Sequence, residues 1–258
     1  MIVLTTMHDQ NYQTLANETW ETNKVEYATK HGYSYLAKTE DFYGFEPGFE
    51  KIQFLIDTLE AYPDIEWIWW TGTDSLITNF DIKVEDKINE ALEYAKNLAP
   101  IRSLEAHSAP MVNVVKTPHI IMSADFNFKI NCDSMLVKNS PEALGWLKDI
   151  MQQMPKYASH QYKEQQCMLD NLNTYESIVL LMPQSFMNSY EYRMYTVAPW
   201  NYKETTDVNG DHGQWESGDW FIHWPGTQPA ERMSLVKEFK EKIINTRSEE
   251  HTSELQSH

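Results

Sequence analysis

Asp74 is the first residue whose position suggests chemistry. It closes a tight Thr71-Gly72-Thr73-Asp74 turn directly after the apolar run Trp67-Ile68-Trp69-Trp70. Ligands of open α/β sheets sit beyond the carboxyl ends of the strands, so an acid at that point can hold a metal or a polar substrate. It can equally cap the segment that follows. A second candidate lies far along the chain, where His223 follows the apolar Trp220-Phe221-Ile222 and precedes Trp224-Pro225-Gly226. A lone His at a strand end is more often structural than ligating. Trp200, Trp215, Trp220 and Trp224 cluster in this region, and such rings either stack on sugar faces or fill a core.

These residues need a scaffold, and hydrophobic periodicity supplies one. Ile2 to Thr5 reads as a strand. Tyr12 to His31, with Leu15, Trp20, Val25 and Ala28 on one face, reads as a helix stopped by Gly32. Tyr33 to Lys38 is the next strand, and strand, helix, strand in that order implies a right-handed parallel unit. Glu50 to Tyr62 carries Ile52, Leu55, Ile56 and Leu59 at helical spacing and ends at Pro63. The Trp-rich run that follows reads as a strand buried on both faces. Further along, Val84 to Asn97 and Tyr162 to Leu172 read as helices, and Ser140-Pro141-Glu142 as a helix start. His119 to Ala124, Asp133 to Lys138 and Ile178 to Met182 read as strands. Leu98 to Pro118, interrupted by three prolines, is expected to form a loop over the site. The fold class is therefore α/β, a mostly parallel central sheet flanked by helices.

With 258 residues and a net charge of −17, sequence-independent binding to nucleic acid or anionic membrane is excluded as the main activity. Cys132 and Cys167 have no metal-binding spacing and read as reduced thiols. No run of 18 apolar residues suggests a membrane span. There is no GxGxxG, phosphate loop, GxSxG or HExxH motif. The last twelve residues, Arg247 to His258, match the translation of a common DNA-sequencing adapter. They are expected to be an artefactual tail, and removing their one Arg and three Glu takes the charge from −17 to −15.

Several stretches, in order, resemble motifs of one family. Trp67-Ile68-Trp69-Trp70-Thr71-Gly72-Thr73-Asp74-Ser75-Leu76 is similar to "WIWW-Asp-x-Asp-(Ala/Ser)-Leu", with Gly72 in place of the first Asp. Lys24, Tyr27 and His31-Gly32-Tyr33 fit "Lys-x-x-Tyr-x-x-x-His-Gly-Tyr". Asn131-Cys132-Asp133-Ser134 resembles "Asn-(Thr/Ala)-Gly-Ser", with Asp133 in place of Gly. Glu164-Gln165 resembles an acid-Gln signature. Pro183-Gln184 through Asn188-Ser189-Tyr190 fits "Pro-Gln-x-x-x-Asn-Ser-Tyr", and Gly218-Asp219 through His223 and Gly226 fits "Gly-Asp-x-x-x-His-(Phe/Trp)-x-Gly". These belong to the retaining glycosyltransferases that include the yeast Golgi galactosyl- and mannosyltransferases and the plant xyloglucan xylosyltransferases.

The resemblance implies a GT-A-like, Rossmann-type single domain over residues 1–246, with a nucleotide-sugar half at about 1–97 and an acceptor half at about 118–240. It implies transfer of a hexose or pentose from a nucleotide diphosphate sugar, a UDP-sugar ahead of a GDP-sugar, to a glycan or other hydroxyl acceptor with retention. Asp74 and His223 would hold Mn²⁺ or Mg²⁺, and the imidazole favours Mn²⁺. Thr5, Thr6, Lys51, Gly72, Thr73 and Gly226 would meet the donor. Asp125, Asn131, Asp133 and Asn188 would line the sugar pocket. Gln165 and Glu164 would act at the anomeric carbon, Glu164 as a nucleophile or Gln165 as electrostatic support. Where the family has Lys or Arg after the His-x-x-Gly turn, Thr227-Gln228 follow here, and Arg232 is the nearest cation. These departures keep open a nucleotide-sugar binder with weak or lost transfer. Because the chain opens on strand-like Ile2 to Thr5 where the Golgi members have a membrane anchor, a soluble cytoplasmic protein of prokaryotic or viral origin is expected.

Overall fold

The computed structural model describes residues 1–97, 117–126, 129–192 and 206–245. Most of the expected loop at Leu98 to Pro118, Trp200 and the adapter-like tail lie outside them.

The chain begins as β1 (Ile2–Met7), then a helical segment made of α1 (Gln13–Ala16), a π-helical stretch at Asn17–Lys24, and α2 (Val25–His31). Gly32, at φ 72°, ends it, a backbone conformation glycine adopts without Cβ strain. The elements that follow are β2 (Ser34–Lys38), α3 (Pro47–Ala61), β3 (Trp67–Thr71), β4 (Ser75–Ile77) and α4 (Val84–Asn97). The second half contributes β5 (Ile120–Asp125), β6 (Lys129–Lys138), α5 (Pro141–Gln152), α6 (Met154–Tyr157), α7 (Lys163–Asn171) and β7 (Val179–Met182). It ends with β8 (Ser189–Tyr190), β9 (Phe221–His223) and α8 (Pro229–Lys240).

The large sheet has the order β2-β1-β3-β6-β5-β7. β6 pairs antiparallel with both neighbours, β3 and β5, while the remaining pairs are parallel. β3 is buried on both faces as expected. Ile68 and Trp70 join the core under α3, α5 and α7, and Trp67 and Trp69 join the core under α2 and α4. A second sheet, β4-β9-β8, packs with α8 around Leu76, Ile222, Trp224, Val236 and Phe239.

The helix expected from Tyr12 to His31 is interrupted by the π stretch, and tertiary bonds explain why. Thr19 Oγ1 donates to the Thr73 carbonyl at 2.7 Å, Asn23 exchanges two bonds with the backbone of Ile77, and Lys24 Nζ donates to the carbonyls of Gly72 and Ser75. Thr19 and Lys24 are five residues apart, one π turn, so the wider turn brings both side chains onto the same loop. A regular α-helix would rotate Lys24 away from it.

Candidate functional site

Strand pairing brings together residues that are distant in sequence. At the carboxyl end of β3 the chain turns through Gly72, Thr73 and Asp74 into β4, where Ser75 pairs with His223 of β9 and Trp224 N–H donates to the Asp74 carbonyl at 2.9 Å. On the other side of β3, the antiparallel β6 places Asp133 beside Gly72, whose N–H donates to the Asp133 carbonyl at 2.9 Å. Three side chains converge in consequence. His223 Nε2 lies 3.4 Å from Asp74 Oδ1 and 3.4 Å from Asp133 Oδ2, and one ligand atom from each residue falls within 4.8 Å of the others.

The imidazole is oriented from behind. His223 Nδ1 is 2.8 Å from Asn188 Oδ1, while the Asn188 amide nitrogen donates to the Ala124 carbonyl and the Tyr190 hydroxyl. With the amide oxygen thus facing the ring, Nδ1–H is the donor and Nε2 points at the two carboxylates. Burial lowers the imidazole's affinity for a proton, but Asp74 and Asp133 outweigh it and pull its pKa up to about 9. Burial likewise opposes the Asp74 carboxylate, yet His223 and then Arg232 hold it well below the usual carboxylate range. Two carboxylates and an imidazole nitrogen, with Asp133 and His223 on strands and Asp74 on the turn between β3 and β4, form a donor set fitted to a divalent cation,.

Asp74 and Asp133 line a cleft of about 470 Å³, with the buried His223 in contact with both carboxylates. Lys51 of α3 and Glu164 of α7 line its floor, paired at 2.9 Å. Glu164 packs over Gly48, where a Cβ would come within 1.7 Å of its Oε2. Tyr12 and Phe42, both exposed, line the cleft as well. Arg232 of α8 is almost wholly buried. It donates to the Thr227 hydroxyl and carbonyl, and its guanidinium lies 3.6 Å from Asp74 Oδ2, at the cleft wall. Beneath the turn, Lys24 is fully buried with its Nζ donating to the carbonyls of Thr19, Gly72 and Ser75 at 3.2, 3.1 and 2.6 Å. Burial pushes its pKa down to about 7 while Asp74 and Asp133 pull it back up. Three carbonyl acceptors match the three donors of the charged form, and we take Lys24 as an ammonium.

Several expected site residues are placed elsewhere. Thr5 and Thr6 are fully buried in β1, with the Thr6 hydroxyl bonded to the Thr71 carbonyl; Met7, His8 and Asp9 reach the cleft instead. Thr73 and Gly72 do line the cleft, whereas Gly226, at φ 71°, forms the turn after β9 outside the cleft lining. Asp125, Asn131 and Asn188 are buried behind the triad in a network centred on the Tyr190 hydroxyl, so they position His223 and β6 rather than line a pocket. Asn131 Oδ1 accepts from the Asp133 N–H. Gln165 is directed at the Cys132 N–H, 3.4 Å away, and Glu164 alone of the pair lines the cleft. Trp220 and Trp224 are core residues, Trp220 stacked on Trp69 at 4.3 Å, and Trp215 packs edge-on to Phe239. Asp133, Arg232 and Lys24 were not assigned these positions from sequence. The signals available for them were the Gly-to-Asp departure at 133, the missing cation after Gly226, and the Lys24 motif.

The similarities to known proteins agree with this architecture. Two solved structures share the fold. One is a glycosyltransferase involved in glycosylation of the major capsid of PBCV-1, with a TM-score of 0.58 at 18% identity over 92% of this chain and 98% of that one. The other is the glycosyltransferase GlyE of Streptococcus pneumoniae TIGR4, with a TM-score of 0.56 at 9% identity over 95% of this chain and 62% of that one. The fold is accordingly GT-A-like. Among curated proteins, an alpha-1,2-galactosyltransferase of Schizosaccharomyces pombe is 32% identical over 221 residues, 79% of this chain and 54% of that protein. A probable alpha-1,6-mannosyltransferase, MNN10, of Saccharomyces cerevisiae is 30% identical over 130 residues, 46% of this chain and 32% of that protein. The chain spans about half the length of the first of these. These relatives are yeast proteins, which overturns the expectation of a cytoplasmic protein of prokaryotic or viral origin. Among the described residues no helix is long and apolar enough to cross a membrane. Residues 1–234 match the model of one family, and with the relatives above this shows that the chain belongs to the galactosyl transferase GMA12/MNN10 family.

Proposed function

We propose that this chain transfers a hexose or pentose, galactose first among them, from a nucleotide diphosphate sugar to a hydroxyl of a glycan, with retention of anomeric configuration. The observation that carries the reading is the convergence of Asp74, Asp133 and His223 at the edge of the sheet, beside a cleft that also holds Lys51, Glu164 and Arg232. The likeness to the Schizosaccharomyces pombe alpha-1,2-galactosyltransferase supports galactose, and hence a UDP-sugar, as donor.

In the reaction the bond between the anomeric carbon and the diphosphate oxygen breaks, and the acceptor oxygen bonds to that carbon. The acceptor's proton passes to the departing diphosphate. Mn²⁺ or Mg²⁺ held by the triad would act as a Lewis acid toward the diphosphate. Arg232 adds a fixed positive charge on the same wall of the cleft, where negative charge builds up. Glu164, neutralised by Lys51, offers a carboxylate edge toward the oxocarbenium-like carbon without being a free nucleophile. Exposed Tyr12 and Phe42 provide flat faces for the donor's base,.

The rival reading, a binder that has lost transfer, rested on Gly72 and on the missing cation after the His turn. Asp133 and Arg232 stand close to Asp74 and favour the transferase. The test is incubation with UDP-galactose, UDP-glucose, UDP-xylose and GDP-mannose, each with Mn²⁺ and a panel of sugar acceptors, with the product anomer read by NMR. An α-linked product is expected. Donor binding with neither transfer nor hydrolysis for any pair would favour the binder instead.

A further inference from the structure

Gly72 and Asp133 face each other across the β3–β6 pair, next to the Thr71–Ser134 register position. A Cβ added to Gly72 would lie 1.8 Å from Asp133 Oδ2, 2.5 Å from its Cγ and 2.8 Å from its Oδ1. A side chain at residue 72 would displace that carboxylate from its present position,. The oxygen that fills the space, Oδ2, is the one 3.4 Å from His223 Nε2. One slot beside the imidazole is therefore open to a carboxylate from either strand, but not from both.

We propose that Asp133 is a ligand of the divalent cation, completing with Asp74 and His223 a set in which the second carboxylate comes from β6 instead of from the β3 turn, and that Gly72 and Asp133 form an obligate pair. The inference rests on the metal-assisted reading above and goes beyond it by tying the third ligand, Asp133, to the glycine at position 72. The sequence departures run in the same direction: this chain has Gly where the resembling motif has Asp, and Asp where the neighbouring motif has Gly. Two carboxylates offset the charge of a divalent ion. The backbone of Asp133 is held on both sides, by Gly72 N–H on its carbonyl and by Asn131 Oδ1 on its N–H, so the ligand is preorganised.

The experiment measures Mn²⁺ affinity in the presence of UDP, by the loss of the free Mn²⁺ signal in electron paramagnetic resonance, for the wild type and for D133N, D133G, G72D, G72D/D133G and D74N. Thermal melts on the same proteins check folding. Removing an outer partner of a metal site costs about 10- to 100-fold in affinity, so loss of a direct ligand should cost at least as much. D133N and D133G are expected to bind Mn²⁺ at least ~10-fold more weakly while remaining folded. G72D alone is expected to lower the melting temperature. G72D/D133G is expected to recover both the melting temperature and Mn²⁺ affinity to within a few-fold of wild type. Wild-type affinity in D133G, or a double variant no better than the worse single one, overturns the inference. If D74N also leaves Mn²⁺ binding intact, the metal-assisted reading itself fails; if D74N abolishes it and D133G does not, only the role of Asp133 is lost.

Discussion

Lys24 Nζ lies 3.1 Å from the carbonyl oxygen of Gly72, in a position with no exposure to solvent, and it bonds the Ser75 carbonyl on the far side of the same turn at 2.6 Å. The ammonium thus clamps both ends of the turn that presents Asp74. Its role is positional, because it touches backbone carbonyls and lies outside the cleft lining.

Replacing Lys24 by Met removes the clamp and leaves carbonyls without their donor. Charged hydrogen bonds and unsatisfied buried groups are each worth about 1–3 kcal/mol, partly offset by relief of the cost of burying the charge. K24M is expected to lose about 1–3 kcal/mol in chemical denaturation. It is also expected to weaken Mn²⁺ binding through a mobile Asp74, with less effect on nucleotide binding measured without metal. Unchanged Mn²⁺ affinity in a folded K24M would remove Lys24 from the site.

How far the sequence carried the fold depended on which force fixed each element. β3 was legible because burial on both faces makes Trp67 to Trp70 uniformly apolar, and α4 and α5 because their periodicity or cap is local. The pairing of Asp74 with His223 was legible through motif order alone, since their contact is made by the antiparallel register of β4 and β9. The π stretch was not legible: its cause is the set of bonds from Thr19, Asn23 and Lys24 to a turn some fifty residues away, which leaves no local trace. Asp125, Asn131 and Asn188 were read as pocket residues because the family resemblance implied it. Here the Tyr190 hydroxyl and the His223 ring satisfy them in the interior. Of the two roles left open for Trp220 and Trp224, which flank β9, the core is the one they fill, since position in sequence does not tell which way a ring at a strand end turns.

Arg232 offers a separable effect. Its guanidinium faces Asp74 from the α8 side at 3.6 Å and anchors the 224–228 turn through Thr227. If it meets the donor's diphosphate, R232Q should weaken UDP by about tenfold, equivalent to ~1.4 kcal/mol, while leaving uridine binding nearly unchanged. Isothermal titration with both ligands in Mn²⁺ checks this. An equal loss for uridine would point to a collapsed turn instead of a lost phosphate contact.

Glu164 decides between two chemistries. Its carboxylate is held by Lys51 at 2.9 Å and packed on Gly48, which reduces its power as a nucleophile. Gln in its place keeps an oxygen within reach of Lys51. E164Q is expected to retain transfer within about 10³-fold of wild type, with no glycosylated protein detectable by mass spectrometry in either form. A loss well beyond ~10³-fold together with a trapped glycosyl adduct on wild-type Glu164 would establish a covalent route.

His223 should give the metal-free protein a pH-dependent contribution to stability of definite sign. Its folded pKa of about 9 lies above the unfolded value of 6.5 because Asp74 and Asp133 favour the imidazolium. A raised pKa means that the folded state binds more protons between those values, so the contribution is fully present below pH 6.5 and is lost as the pH rises through 9. The shift corresponds to about 3 kcal/mol at most. In EDTA, the difference in unfolding free energy between wild type and H223Q is expected to be largest near pH 6, to shrink steadily toward pH 9 and to level off above it. Taking the difference cancels Lys24, whose depressed pKa acts in the opposite direction over an overlapping range. A difference that stays flat between pH 6 and pH 9.5 would mean that His223 is not held between the two carboxylates.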